Sequence, residues 1–143
     1  MKEFVILVVL LVLDVTALQR VKSDNDLIVV NTWSGTFSAA CEYAYQNFCK
    51  YGSVMDAVEA GCSYCERTQC DHSVGYGNHP DSTGYNSLDA LIMDGQSMNA
   101  GSVAYIRKYR DAITMARHVI DYSTHTMLVG EGAERFEEML GIQ

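Results

Sequence analysis

The chain has 143 residues, 48% of them hydrophobic, and its formal net charge at pH 7 is −8. This length fits one domain with enough chain to bury a core. The Asp and Glu residues are scattered along the sequence rather than gathered in a tail. An acidic chain of this kind argues against a basic groove for nucleic acid, so we expect no nucleic-acid partner.

The first twenty residues predict a secretory signal peptide. A lysine precedes an apolar run from Phe4 to Leu13, and Val15 and Ala17 form a cleavage site of the A-x-A type. The run is shorter than a membrane span requires. We predict a signal at 1–17, with cleavage after Ala17 or a few residues later, and a mature chain at 18–143 without a membrane segment. The alternative is that the run forms a buried N-terminal strand or helix.

The segment 26–33, DLIVVNTW, has a β-branched apolar run that predicts a buried strand. The following segment predicts a helix that ends at Gly52, since its apolar residues recur at helical spacing: Phe37, Ala40, Cys41, Ala44, Tyr45 and Phe48. Ser53, with Asp56 three residues later, is a weak capping signal for a second helix. That helix would carry one apolar face: Val54, Ala57, Val58, Cys62 and Cys65.

The second half of the chain predicts a hairpin followed by a helix, a strand and a helix. A loop rich in Gly, Asn, Asp and Ser, which contains Pro80, comes first. The predicted ranges are the loop at 71–87, the hairpin strands at 88–95 and 101–106, a helix at 111–123, a strand at 124–130 and a helix at 131–141. This order predicts a sheet with helices on its faces, in an α/β or α+β fold.

Five cysteines in a chain predicted to be secreted indicate at least one disulfide and leave an odd thiol. Three of them lie with His72 in the stretch CSYCERTQCDH, and the four residues are possible zinc ligands. Their spacing does not form two Cys-x2-Cys pairs, and a secreted thiolate cluster is open to oxidation, so we predict no metal site. Cys62 lies on the predicted apolar helix face, where a buried thiol is usually inert rather than catalytic.

The geometry of a helix favours one pairing of these cysteines. Cys65 and Cys70 can be bridged across a helix end, because the chain reverses between them. Cys62 and Cys65, three residues apart, would form a strained bridge. Cys41 and Cys49 would lie about 12 Å apart along a helix axis, which is beyond the reach of a disulfide.

Several motifs together resemble one family. VVNTW, DAVEAGCSYCERTQCD, SVGYG, LDALIMDG and ARHVIDYSTHTMLVGEGAERF occur in the order and spacing of the glycosylasparaginases, which are also called aspartylglucosaminidases or N4-(β-N-acetylglucosaminyl)-L-asparaginases. The resemblance extends from about residue 27 to residue 143. It implies an α+β fold, specifically a partial αββα sandwich of the N-terminal nucleophile hydrolase type.

The resemblance also implies a reaction in glycoprotein degradation that needs no cofactor. The precursor of such a hydrolase cuts itself between Asp and Thr in a DTIGM-like stretch. The new N-terminal Thr attacks the amide that joins asparagine to N-acetylglucosamine, its α-amine can act as general base, and an oxyanion hole stabilises the intermediate. The products would be aspartate and an aminosugar that loses ammonia.

Individual residues match the motifs of the family. Trp33 matches a tryptophan that lines the substrate pocket, although a lone Trp at a strand end is often a core residue. Ser73 matches a serine that binds the asparagine end of the substrate, although a loop serine is often a plain turn former. Cys65 and Cys70 match the early disulfide of the family, and Gly75 and Gly77 would permit close backbone approach.

Other residues depart from the family or have no catalytic role in it. His125 is interpreted as structural, since the family mechanism assigns no such base. His72 stands where the family has a small residue. Cys41 and Cys49 are additional cysteines that could pair only if the helix between them breaks.

The sequence reaches Gln143 without a DTIGM-like stretch. We therefore expect no catalytic residue in it, and expect it to be the N-terminal part of an α subunit whose partner is a β subunit or a missing C-terminal part. The first hypothesis is the front portion of a secreted or lysosomal amidohydrolase that is inactive alone. The alternative is a truncated, secreted paralogue that binds a partner or ligand without turnover.

Overall fold

The computed structural model describes residues 27–141. The predicted signal peptide and its cleavage site lie outside these residues. The helices are α1 (Ser38–Tyr51), α2 (Val54–Thr68), α3 (Ala112–Tyr122) and α4 (Gly130–Leu140), and the strands are β1 (Leu88–Met93), β2 (Ala100–Ile106) and β3 (Leu128–Val129). Short 3-10 turns lie at Gly35–Phe37 and Gly75–Gly77.

The three strands form one mixed sheet in the order β1-β2-β3. β1 and β2 pair in antiparallel fashion as the predicted hairpin, with a register shift between Leu88 and Ala90. β3 lies parallel to β2, with Val103 opposite Leu128. Helices and a mixed sheet together confirm the α+β class at the level of this part of the chain.

One face of the sheet is covered by α3 and forms the main core. The largest fully buried side chains are Ile92, Ile106 and Val119, two from the sheet and one from α3. Gly101 on β2 permits this contact, because a Cβ there would overlap the backbone of Ala116. The buried alanines of α3 and α4 likewise allow the helices to lie close to the strands.

The opposite face of the sheet is open. Leu91 is 66% exposed and Met93 is 50% exposed on β1, and Val129 on β3 is 52% exposed. Side chains alternate between the two faces of a strand, so these residues stand on the side away from α3. Exposed apolar residues on one face of a sheet are typical of a surface that another layer covers.

The first two helices form an antiparallel pair that the sequence predicted well. Gly52 adopts a left-handed conformation (φ 73°) and ends α1. The Ser53 hydroxyl then accepts a hydrogen bond from the Asp56 N–H at 3.1 Å, which confirms the predicted cap of α2. The two axes approach closely where Gly61 faces α1, since a Cβ at Gly61 would lie 2.9 Å from the Ala40 carbonyl oxygen.

Two strand predictions need correction. The segment 26–33 was predicted as a buried strand, but residues 27–34 form neither strand nor helix, and Ile28 and Val30 are exposed. A strand needs a hydrogen-bonded neighbour, and none is present beside this segment within residues 27–141. The strand predicted at 124–130 is reduced to Leu128–Val129, because Gly130 already begins α4.

Between residues 27 and 141, no helix is both long enough and apolar enough to cross a membrane.

Candidate substrate cleft

An open cleft of about 710 Å³ lies between the helix pair and the start of the sheet. Its walls are the segment 27–31, the inner faces of α1 and α2, the loop residues 73–75 with Asn78, and residues 87–91. A cleft of this volume is large enough for a small ligand. Its walls are mostly apolar, and the polar groups on them are few: Asn31, Glu66, Ser73, Asn78, Ser87 and Asp89.

The predicted apolar face of α2 forms one wall of this cleft rather than part of a closed core. Ala57 and Cys65 are buried, but Val54 is 57% exposed and Val58 is 43% exposed. The sequence interpretation of Cys62 as a buried thiol was wrong, since its side chain keeps exposed surface in the open cleft. Burial by the neighbouring atoms, together with the carboxylates of Glu66 and Glu59, nevertheless raises the pKa of Cys62 to about 11. A thiol with so high a pKa is a poor nucleophile at neutral pH.

Ser73 lies on the cleft wall, in the loop that follows α2. Its hydroxyl and its backbone N–H both donate to Oδ1 of Asp71, which fixes the direction of the side chain. The hydroxyl oxygen keeps its lone pairs for a donor on a ligand. The sequence interpretation of Ser73 as a cleft residue is therefore compatible with its position.

The disulfide and two glycines hold this loop against α2. Cys65 and Cys70 are joined by a disulfide with a Cα–Cα distance of 5.0 Å. A Cβ at Gly75 would lie 2.6 Å from the Cα of Glu66, and a Cβ at Gly77 would overlap the side chain of Gln69. Both glycines permit close approach, as predicted, but the partner is the end of α2.

Trp33 does not line the cleft. It is 51% exposed, and its ring packs edge-on against Phe37 with a centroid distance of 5.1 Å. Phe37 does line the cleft, as does Asn31, whose amide donates to the Phe37 carbonyl oxygen at 2.9 Å and to the Cys41 sulfur at 2.8 Å. The Phe37 side chain thus lies between Trp33 and the cleft, and the role of Trp33 in substrate binding stays a prediction.

Sequence reasoning missed Glu66, which is only 6% exposed and lies on the cleft wall. Its Oε1 accepts a hydrogen bond from the backbone N–H of Ile113 at 3.3 Å, near the start of α3. Its Oε2 is buried and has no hydrogen-bond partner among the described residues. Burial raises the pKa of Glu66 to about 7, with Asp111 and Glu59 adding to the increase. No signal in the sequence of α2 alone identifies it, because its burial depends on contact with the start of α3.

The remaining candidates do not assemble a catalytic centre. Within residues 27–141, no group of three or more His, Cys, Asp or Glu side chains is placed to hold a metal ion. Two of the four possible zinc ligands, Cys65 and Cys70, are joined to each other by the disulfide. His125 is exposed, and its backbone N–H donates to the Ser123 hydroxyl. Cys41 and Cys49 are free thiols.

Comparison with known proteins places the chain in a family. The family profile described as Asparaginase matches residues 9–143. The chain belongs to this asparaginase family. This match and the similarities below confirm the resemblance to glycosylasparaginases predicted from the motifs.

Three relatives illustrate the similarity of this asparaginase-family chain to curated proteins. The N(4)-(beta-N-acetylglucosaminyl)-L-asparaginase of Mus musculus is 45% identical over 92% of the chain and 38% of the relative. The protein of the same name from Rattus norvegicus is 44% identical over 89% of the chain and 36% of the relative. The probable isoaspartyl peptidase/L-asparaginase 3 of Arabidopsis thaliana is 42% identical over 96% of the chain and 38% of the relative. The chain therefore spans less than two fifths of the length of the relatives it matches.

Proposed function

We propose that the chain supplies the N-terminal part of a glycosylasparaginase-like hydrolase. The reaction is cleavage of the amide between N-acetylglucosamine and asparagine in glycoprotein degradation. The observation that carries this proposal is the open cleft, which has Ser73 on its wall. The cleft and the open sheet face are the surfaces on which further chain would complete both the fold and the site.

The proposed fold is a partial αββα sandwich of the N-terminal nucleophile hydrolase type. The described residues contain one sheet with α3 on one side. A second sheet would lie on the opposite face, over Leu91, Met93 and Val129. Two packed sheets bury their facing side chains in a common core about 10 Å thick, which would cover these exposed residues.

The attacking group in this proposal is a Thr outside these 143 residues. Self-cleavage after an Asp would release its α-amine, which then takes the proton of its own hydroxyl as that oxygen attacks the amide carbon. An oxyanion hole would stabilise the tetrahedral intermediate. This chain would contribute binding: Ser73, oriented by Asp71, would receive a donor at the asparagine end of the substrate. Trp33, which packs against the cleft residue Phe37, would border the substrate pocket near the nucleophile once the remaining chain completes it.

The proposed location is a secreted or lysosomal compartment. The predicted signal at 1–17 supports it, and so does the Cys65–Cys70 disulfide, because disulfides persist in oxidising environments. The proposed partner is a β subunit or a C-terminal part, and the proposed substrate is an asparagine-linked aminosugar. We propose neither a nucleic-acid partner nor a membrane segment in the mature chain.

A hybrid protein tests this function. The chain would be joined to the part of the Mus musculus relative that lies C-terminal to the matched region, and release of aspartate from N4-(β-N-acetylglucosaminyl)-L-asparagine would be measured. We expect the hybrid to cleave itself and to hydrolyse the substrate, and the 143-residue chain alone to show no turnover. Turnover by the chain alone contradicts the proposed position of the nucleophile.

Two controls make the result specific. Replacing the Thr at the new N-terminus of the hybrid by Ala should abolish turnover, whereas Ser73→Ala should raise KM with a smaller effect on kcat. An isoaspartyl dipeptide should be a poorer substrate than the asparagine-linked aminosugar. The reverse preference would assign the activity named for the Arabidopsis thaliana relative instead.

The second candidate is a secreted, non-catalytic paralogue that acts as a binding or interaction protein. The open cleft favours it, because an accessible concave surface with mostly apolar walls can bind a ligand or a partner without catalysis. Here the hybrid would assemble but stay inactive, while the chain alone would bind the aminosugar substrate or a partner without turnover.

A further inference from the structure

A second concave site lies on the side of the helix pair away from the cleft. This polar hollow, of about 640 Å³, is lined by residues from α1, α2 and α3: Tyr43, Asn47, Tyr51, Asp56, Glu59, Ala60, Ser63, Tyr64, Arg67, Thr68 and Thr114. None of them lines the cleft. The close contact at Gly61 separates the two sites, so the hollow is independent of the proposed hydrolase function.

The spacing of residues explains why the hollow is aromatic and polar. Tyr43, Asn47 and Tyr51 follow one another at intervals of four residues, which places them on one face of α1. Tyr64 on α2 meets this face, and its ring lies 5.2 Å from the ring of Tyr43 with an interplanar angle of 31°. Tyr43 is 48% exposed and Tyr51 is 61% exposed, so their rings remain accessible from solvent.

Two charged groups of the hollow, Arg67 and Asp56, already have ionic partners. Arg67 forms a two-point contact with Asp111, at 3.1 Å and 3.0 Å. Asp56 accepts from Arg117 at 3.2 Å. An anionic ligand would therefore compete with Asp111 for Arg67, and a cationic ligand would compete with Arg117 for Asp56.

Two other acceptors of the hollow, Asn47 and Glu59, are less well satisfied. Oδ1 of Asn47 is buried and has no hydrogen-bond partner among residues 27–141. A buried acceptor without a donor is costly, and such an exception calls for an explanation. Glu59 accepts from the Thr114 hydroxyl through Oε1, at 2.8 Å, which leaves its other oxygen for a further donor. The hollow thus has an accessible acceptor at Glu59 beside exposed aromatic rings, and Asn47 would meet a ligand by rotating its buried oxygen toward it.

We propose that the polar hollow binds a neutral sugar. A pyranose ring has an apolar C–H face that can stack on a tyrosine ring, and hydroxyl groups at its edge that can donate to Asn47 and Glu59. The volume lies within the range of small-ligand sites. The ligand class is a neutral hexose or N-acetylhexosamine, bound without any chemical change.

Nuclear magnetic resonance titration of the 15N-labelled 143-residue chain tests the proposal. The probes are N-acetylglucosamine, glucose and, as a cationic contrast, tetramethylammonium. We expect one or both sugars to cause saturable shifts at the Asn47 side-chain amide and at Tyr43 and Tyr64, with a Kd on the order of 1 mM for a shallow, accessible site. We expect no saturable shift there with tetramethylammonium.

Variants separate binding in the hollow from other effects. Asn47→Ala and Tyr43→Ala should each weaken sugar binding by about fivefold or more. Tyr43 is half-exposed, so its replacement should leave the fold intact. Tyr122→Ala, at an exposed tyrosine of α3 outside the hollow, is the matched control and should leave the affinity unchanged.

Three results would overturn the proposal: no saturable shift with either sugar, shifts that map to the cleft instead of the hollow, or affinities unchanged by both hollow variants. A larger response to tetramethylammonium than to the sugars would also overturn it. Ser73→Ala should leave sugar binding in the hollow unchanged, which separates this test from that of hydrolysis.

Discussion

The two faces of the sheet differ in burial: one is covered by α3 and the other is exposed. On the α3 side, Ile92 and Ile106 are 2% and 0% exposed, whereas on the other side Leu91 is 66% exposed. These residues come from adjacent strands of one hairpin and have the same chemistry. The difference shows that a sheet can bury apolar side chains on either of its faces. The described residues cover only the face that packs against α3.

Two buried glutamates, Glu134 and Glu66, differ in a similar way, in their hydrogen bonds and in their pKa values. Glu134, beside the completed core, accepts from the backbone N–H groups of Arg107 at 2.8 Å and Lys108 at 3.0 Å. Burial alone would raise the pKa of Glu134, but these donors and the Lys108 ammonium hold it below its usual value. Glu66, on the open cleft, has a buried oxygen without a partner and a pKa raised to about 7. Of these two buried glutamates, the one beside the completed core accepts two backbone hydrogen bonds, and the one on the open cleft is not fully hydrogen-bonded.

The largest expected effect comes from truncating the completed core. Ile106→Ala should lower the free energy of unfolding of the 143-residue chain by about 2–5 kcal/mol, because it removes a fully buried side chain and leaves a cavity. The matched variant is Leu91→Ala on the open face, which should change the free energy of unfolding by less than about 0.5 kcal/mol. Denaturant unfolding measures both. Equal losses would show that the open face is covered in solution.

The second effect concerns the pH dependence that Glu66 imposes. The pKa of Glu66 is about 7 in the folded chain, against an ordinary value of 4.5. Between these two pH values the folded chain holds more of the proton than the unfolded chain does. The free energy of unfolding therefore falls as the pH rises from about 4.5 to 7. Glu66→Gln should remove this decrease, whose size is on the order of 2–3 kcal/mol. Denaturant unfolding at pH 5 and pH 8 measures the difference between the variant and the unchanged chain. A parallel pH dependence in both proteins would contradict the raised pKa.

The third effect is the loss of the disulfide. Replacing Cys65 and Cys70 together by Ala should lower the free energy of unfolding by about 2 kcal/mol, since the bridge closes a small loop in the unfolded chain. The control is Cys49→Ala, an exposed free thiol, which should have little effect. Because Ser73 follows the bridged segment, the double variant of the hybrid should also raise KM. Unchanged stability would mean that Gly75 and Gly77 alone hold the loop.

The smallest effect is expected at the satisfied glutamate. Glu134→Gln keeps an acceptor for the N–H groups of Arg107 and Lys108 but removes the charge, so it should cost about 1 kcal/mol at neutral pH. The lowered pKa of Glu134 means that the cost should disappear on acidification through its folded and unfolded pKa values. Glu131→Gln, at an exposed position of α4, is the control. If the variant is still less stable than the unchanged chain at low pH, the decrease comes from altered packing or hydrogen-bond geometry and not from the missing charge.

Local features of this fold were predictable from sequence. The αL glycine at Gly52 and the cap at Ser53 depend on neighbouring residues only, so the junction of α1 and α2 was predicted correctly. The hairpin was predictable for the same reason. The strand predicted at 26–33 was wrong because a strand depends on a partner from elsewhere in the chain. The open or buried state of the α2 face, including Cys62, likewise depends on what packs against it.

The candidate site was predicted in part. Family motifs predicted Ser73 and Trp33 as substrate-binding residues: Ser73 lies on the cleft wall, Trp33 packs against Phe37 outside it, and the binding role of both stays a prediction. Glu66 was missed, because nothing in a single helix sequence shows that its carboxylate turns inward toward the start of α3. The polar hollow was missed for a similar reason, since its tyrosines come from two helices that meet only after folding.

The sequence by itself determined the family, the α+β class through the family motifs, the junction of α1 and α2, and the bounds of α3 and α4 to within one residue. Motif order, apolar period and capping residues are encoded locally. Only the tertiary structure decided which apolar faces are buried, which carboxylates are satisfied and which tyrosines share a hollow. The physical reason is that burial and hydrogen bonding at long range depend on the packing of distant segments, and the spacing of residues along one segment does not specify that packing.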